Sequence, residues 1–405
     1  MTMAENSASA PSKRVTSALL PGRSAPFLHA PEGARTVYLV TLGAACGPLA
    51  AGTVIFGWRS LVVAAVTVLT CAGVERVYYR VTRTPALLGR SHAYLTGMLL
   101  ALTLPAFVPW YVAMVAGAFA ILVGKAVFGG VGHFLWQPAL VGRLAAAVIF
   151  PVALQPAAWP VLAQDRLLVG DIQRCRAVDD YRQWQGRSAP PGADGFVVST
   201  PAAALGGLTT DPPTYSALAY APADAPADKG PLLLDLPPVN DLLVGTTPGG
   251  IGETCAVVIL VAGVYLIYRG YVKWQLPAFF VLSAWSVAAV APLHLAGAGG
   301  LASTVWWPLT TEGLDVGFTY ANYQILTGEL LLAAFFLAPE MTSRPVTAAG
   351  QAVFGAGCGI LAMLMKLYLQ LPIPCYLAVL AMNTFTPIID GLFSRRRGKI
   401  APSAA

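Results

Sequence analysis

Ten separate stretches of this chain stay apolar for close to the length of a membrane-crossing helix, near residues 37–57, 60–80, 92–106, 108–127, 138–155, 251–268, 274–294, 321–338, 350–369 and 373–393. About 20 apolar residues at ~1.5 Å per residue cover the ~30 Å of hydrocarbon in a bilayer. A chain interrupted this often cannot gather the runs into one soluble core. Only 11% of its residues are charged, against ~25% in soluble domains. The expectation is an all-α polytopic membrane protein of about ten transmembrane helices.

The net charge of +6 raises a nucleic-acid reading, and the placement of the charge dismisses it. Arg76, Arg80, Arg83 and Arg90 lie between the second and third runs. Arg269 and Lys273 follow the sixth, and Arg395, Arg396, Arg397 and Lys399 follow the last. Such juxtamembrane clusters mark cytoplasmic connections. They put both termini in the cytoplasm of a bacterial inner membrane. Residues 1–35 are polar and basic with no early apolar core, so they read as a disordered cytoplasmic tail and not as a signal peptide. Residues 394–405 read as a second, basic tail.

Residues 156–248 differ in kind. They hold ten of the nineteen acidic residues, are rich in Pro and Gly, and contain no long apolar run. Counting spans places them outside the cytoplasm. They separate a first set of five helices (36–155) from a second (249–393), and an odd number per half gives the halves opposite orientation, as in inverted repeats. A trace of repetition supports this: Leu95-Thr96-Gly97-Met98-Leu99-Leu100 returns as Leu326-Thr327-Gly328-Glu329-Leu330-Leu331. Both short helices end at a proline, Pro105 and Pro339. Short or broken segments at matched positions point to a site buried near the midplane.

Ionisable residues in spans are costly and invite functional readings. Glu329 sits in the repeated motif, where a carboxylate can bind a cation or relay a proton. At a helix start it is equally at home beside the macrodipole and open to solvent. Glu75 next to Arg76 reads as interfacial, and Lys125 and Arg143 as helix-end residues that snorkel. His92, His133 and His294 have no ligand-like spacing. The six cysteines form no CxxC pair; Cys46, Cys71, Cys255, Cys358 and Cys375 read as buried thiols, with Cys175 alone in the loop. Trp110, Trp136, Trp274, Trp306 and Trp307 mark an aromatic belt. The glycines of 247–252 follow no strand and begin a membrane helix, so they make no dinucleotide fingerprint. In the loop, Asp194-Gly195-Phe196-Val197-Val198-Ser199-Thr200-Pro201 reads as a turn leading into a short ordered stretch. A threonine has no special reactivity there without an activating base.

The segment from His92 to Arg143 resembles RnfD, the large membrane component of Rnf-type electron-transport complexes, and its counterpart NqrB in the sodium-pumping NADH:quinone reductase. The pieces that carry this are 95–105, Gly124-Lys-Ala-Val-Phe-Gly-Gly130 and Gln137-Pro-Ala-Leu-Val-Gly-Arg143. The second half keeps the order with Ala334-Phe335-Phe336, Pro345, Gly350, Phe354-Gly355, Met382-Asn383 and Pro387-Ile-Ile-Asp390. The resemblance implies FMN joined by a phosphoester to Thr200, placed by a flavin transferase that reads Asp194 through Ser199. Val198 and Ser199 stand where the family has glycine and alanine. Thr209 and Thr210 lack the upstream aspartate. The segment Leu-Ala-Pro339-Glu340-Met341-Thr342-Ser343-Arg344-Pro345 also departs from the family's Ala-Thr-Asp-Pro, which marks a divergent branch.

The resemblance further implies a subunit that relays electrons among the partners of an Rnf- or Nqr-like complex, with ion coupling open. Lys125 and Arg143 are then candidates to hold a flavin phosphate or ring, and a second, non-covalent flavin has a place between the helices. Two rivals keep the same fold: a urea-channel-like solute or ion transporter without flavin, and a cofactor-free structural subunit.

Overall fold

The structure is a computed structural model that describes residues 33–83, 92–130, 133–154, 239–245, 249–296, 302–311, 313–369, 371 and 373–397. Helices occupy every apolar run. In the first half they are α1 (Ala34–Phe56), α2 (Arg59–Thr82), α3 (Ala93–Thr103), α4 (Trp110–Ile121, continued by a π-turn over Leu122–Ala126) and α5 (Pro138–Ile149). After the short α6 (Val239–Val244) come α7 (Ala256–Tyr268) and α8 (Gln275–Val290). The short α9 (Pro308–Thr311) precedes α10 (Leu314–Leu326) and α11 (Leu330–Leu332, continued as a π-turn over Ala333–Leu337). The chain ends in α12 (Ala348–Leu364, continued as a π-turn over Met365–Leu369) and α13 (Pro374–Arg397).

Among the described residues, four helices are long and apolar enough to cross a bilayer by themselves: Ala34–Phe56, Arg59–Thr82, Ala348–Leu369 and Pro374–Phe393. Five shorter apolar helices accompany them. Leu69, Val261, Leu282 and Ile388 are each more than half exposed, as lipid-facing side chains of a membrane protein are. The small residues turn inward. A Cβ on Gly355 or Gly359 of α12 would strike the backbone of α8 at Leu276 or Phe280, so the two helices can approach this closely only because those positions are bare.

One feature departs from the sequence reading. One antiparallel hairpin, β1 (Leu293–Ala296) with β2 (Ala302–Val305), interrupts the all-helical plan. The eighth apolar run is broken, because Gly328 takes a positive φ of 75° between α10 and α11. A side chain resists that conformation and glycine does not.

The end of α3 is also irregular, and its carbonyls are satisfied from far along the chain. Gly252 donates to the Leu102 carbonyl at 2.9 Å and Ile251 to the Leu104 carbonyl at 3.0 Å. Irregular backbone at membrane depth persists only where protein supplies such partners. The segment entering α7 thus meets the tip of α3 inside the bundle.

Candidate functional site

Two clusters of charge lie inside the bundle. The first gathers at the end where α1 and α3 begin. The π-turn that closes α4 swings Lys125 inward, where its ammonium meets the Glu75 carboxylate of α2 at 2.9 Å. The side chains are 3% and 2% exposed, so neither the snorkelling expected of Lys125 nor the interfacial place expected of Glu75 is found. A crevice of ≈ 10 Å³ beside the pair is lined by Tyr38, His92, Thr96, Gln137 and Glu340 among others. That is room for about one water, far below the size of a flavin ring. The His92 ring stacks on Tyr38 with centroids 4.0 Å apart. The Gln137 side chain caps α5 by accepting from the Leu140 N–H at 2.9 Å. Burial pushes the Glu340 carboxyl up to about 7, against the opposing pull of Lys125.

The second cluster lies where α5, α11 and α13 meet the segment entering α7. Glu253 accepts from the Tyr376 hydroxyl at 2.5 Å and from the Gly250 N–H at 3.1 Å. Glu329 stands at the break before α11, and its carboxylate accepts from the Cys375 N–H at 2.6 Å. Because Cys375 and Tyr376 are consecutive in the first turn of α13, one helix start holds both carboxylates. Glu329 is only 9% exposed, which replaces the solvent-open reading of that residue. Glu253 is half-buried. The Arg143 guanidinium of α5 is the cation whose field reaches both acids. Arg143 is 7% exposed, with Nε and Nη1 lacking any hydrogen-bond partner, so it does not snorkel either. Lys366, in the π-turn that ends α12, donates to the Gln324 carbonyl at 3.0 Å and to Thr327 Oγ1 at 3.1 Å.

Of the sequence candidates, Lys125, Arg143 and Glu329 are therefore placed, the first in one cluster and the other two in the second. Thr200, Asp194 and Ser199 fall outside the described residues, as does Cys175. Cys71, Cys255, Cys358 and Cys375 are buried free thiols as expected, whereas Cys46 is exposed on α1. Glu253 and Tyr376 escaped the sequence reading. The signal for Glu253 was available, since it is an acid at the mouth of the sixth apolar run. Among the described residues no group of three or more His, Cys, Asp or Glu side chains is arranged to hold a metal ion.

The profile of the NQR2, RnfD, RnfE family matches residues 22–399, nearly the whole chain. The chain belongs to that family. It is 31% identical over 368 residues to the D component of the ion-translocating oxidoreductase complex of Halorhodospira halophila, covering 90% of this chain and 91% of that one. It is 28% identical over 375 residues to the D component of the Na(+)-translocating ferredoxin:NAD(+) oxidoreductase complex of Acetobacterium woodii, covering 92% and 93%. It is also 28% identical over 335 residues to the D component of the proton-translocating ferredoxin:NAD(+) oxidoreductase complex of Clostridium ljungdahlii, covering 83% and 82%. The family resemblance read from residues 92–143 and 334–390 thus holds along the chain.

Proposed function

We propose that this chain is the RnfD-type membrane component of an Rnf- or Nqr-like ion-translocating redox complex and that it relays electrons among partner subunits. The observation that carries the reading is the collinear likeness to components of that name over about nine-tenths of both chains. By the names of those relatives, reduced ferredoxin and NAD+ are the redox pair to try. The names divide between sodium and protons at equal identity, so likeness leaves the ion open.

The architecture in this reading is two inverted repeats of five helices in a bacterial inner membrane. What favours it is a matched device in the two halves. A π-turn carrying a buried lysine (Lys125, Lys366) is followed by a helix that begins at proline (Pro138, Pro374). The arginine clusters orient the Lys125 end and both termini toward the cytoplasm, and residues 156–248 away from it.

FMN on Thr200 belongs to the same proposal, resting on the loop sequence from Asp194 through Ser199 and on a flavin transferase to make the bond. When bound, the flavin supplies two-electron uptake and one-electron release. Lys125 gives a flavin little purchase, since its ammonium is held by Glu75 beside a crevice of ≈ 10 Å³. Arg143 faces two carboxylates. Both cations belong to the charge balance of the interior, and Glu329 with Glu253 to the ion path.

The test is to produce the chain together with a flavin transferase and inspect the denatured band for flavin fluorescence. Fluorescence that Thr200→Val removes is the expected result. A dark band from a chain whose transferase is active would remove the flavin from the proposal. Solute flux in liposomes holding this chain alone would favour the channel instead.

A further inference from the structure

We propose that Glu253, Glu329 and Arg143 form a proton-binding site inside the bundle, and that the ion this chain carries is a proton and not a metal cation. The proposal rests on the reading of the chain as a subunit of an ion-translocating complex, and it names the ion and the groups that hold it.

The first ground is which atoms face the two carboxylates. A metal cation needs several oxygen lone pairs converging on one point. Here donors converge instead. The Tyr376 hydroxyl and the Gly250 N–H occupy the two oxygens of Glu253, and the Cys375 N–H occupies Glu329 Oε1. A proton needs one lone pair on one oxygen, and this geometry leaves that free.

The second ground is Arg143. A guanidinium is always charged, and this one is nearly enclosed with two nitrogens unpartnered. A fixed positive charge reaching both acids repels any metal cation brought between them. It also sets the charge count. Glu253 and Glu329 are opposed by Arg143, and Glu329 also by Lys366 acting through space, so with both acids ionised the four charges already balance and no metal cation is needed to neutralise them. Lys366 acts on Glu329 through space while its hydrogen bonds go to Gln324 and Thr327, and Cys375 and Tyr376 are neutral donors.

The third ground is access. Glu253 is partly buried and Glu329 almost closed off, so any proton must reach the pair through the protein interior. Buried polar atoms without protein partners lie on the neighbouring elements: Thr254 Oγ1 beside Glu253, Gln324 Oε1 in α10, and both amide atoms of Asn383. Asn383 lies seven residues from Tyr376, about two helical turns along the same face of α13. Buried polar atoms in native proteins are satisfied by protein or by water, and these atoms are where water can bind.

Two measurements test the proposal. Inverted membrane vesicles holding the intact complex are energised with reduced ferredoxin and NAD+ in sodium-free buffer, with a pH-sensitive dye inside. The expected result is acidification that a protonophore abolishes, that added sodium does not raise, and that falls to background in Glu253→Gln and Glu329→Gln. Uptake of radioactive sodium that persists with the protonophore would overturn the proton while leaving the subunit reading intact. Absence of ferredoxin-to-NAD+ electron transfer in the unaltered complex would instead overturn the subunit reading. The second measurement needs no variant. Dicyclohexylcarbodiimide, which attacks protonated carboxyls in apolar surroundings, is expected to label Glu329 or Glu253, faster at low pH and indifferently to sodium. Protection by sodium, or labelling confined to other residues, refutes the site.

Discussion

Lys125 and Lys366 occupy the same kind of backbone and solve the same electrostatic problem differently. Each lies in a five-residue π-turn at the end of a long apolar helix, and each is buried. The extra residue in a π-turn rotates the helix face, which turns inward a side chain that would otherwise snorkel. Lys125 then meets a carboxylate directly, at 2.9 Å. Lys366 donates to a carbonyl and a hydroxyl, and the acid that acts on it through space, Glu329, is held by the start of α13. The first arrangement is a closed ion pair that fixes α4 against α2. The second leaves a carboxylate near a positive charge without binding it, which is what a site that changes protonation requires.

If the contrast holds, the largest effect falls at the closed pair. Glu75→Gln or Lys125→Met leaves a buried charge unmatched and is expected to cost about 3–5 kcal/mol. Thermal unfolding of the purified protein reads this, and the double substitution should recover most of the loss. Single variants with unchanged melting would show that the pair is not buried in the native protein. Lys366→Met should cost less, about 1–3 kcal/mol, because what it abandons are neutral acceptors. A loss as large as that of Lys125→Met would mean that Lys366 is itself paired to Glu329, which erases the difference between the two ends.

The third effect is pH-dependent and belongs to the Lys125 end, where Glu340 lines the crevice in the connection between α11 and α12. Its carboxyl is raised from 4.5 to about 7, by burial above all. A carboxyl with a raised folded value holds its proton more tightly when folded. Its stabilising contribution is complete below pH 4.5 and is lost as pH rises through 7. Glu340→Gln should therefore flatten the stability profile between those values and leave the protein more resistant than wild type at pH 8. Melting temperatures across that range check it, and a variant that tracks wild type would place Glu340 in water.

The helices were legible in the sequence because their cause is local. A run such as 60–80 must cover the hydrocarbon whatever surrounds it, and α2 spans Arg59–Thr82. The sites were legible only in part, because their causes are distant. Glu75 reads as interfacial beside Arg76, and nothing near it in the chain announces a lysine fifty positions later on a turn with one extra residue. Glu329 was found because a charge inside an apolar motif is conspicuous. Glu253 was not, since it follows a glycine-rich stretch whose depth is set by Ile251 and Gly252 pairing with the tip of α3. The hairpin at 293–305 was hidden for another reason: Leu293 and Leu295 extend the seventh apolar run, and composition does not register where helix yields to strand.

The smallest effect separates two capped helix starts, that of α5 beside the Lys125 crevice and that of α12. Gln137 caps α5 beside the Lys125 crevice, and Thr347 caps α12 by accepting from the Gly350 N–H at 3.0 Å. Losing a cap costs about 0.5–2 kcal/mol. The two bonds are alike in length, so the difference lies in what each leaves behind. Gln137→Ala strands the N–H of Leu140, a fully buried residue, and empties space next to the Glu75–Lys125 pair. Thr347→Ala strands the N–H of Gly350 in a turn where the capping Thr347 is itself only partly buried. Gln137→Ala should therefore fall in the upper half of that range and Thr347→Ala in the lower, as read by melting temperature. Equal losses would show that water enters the crevice freely, and the Glu75–Lys125 pair would then not be closed.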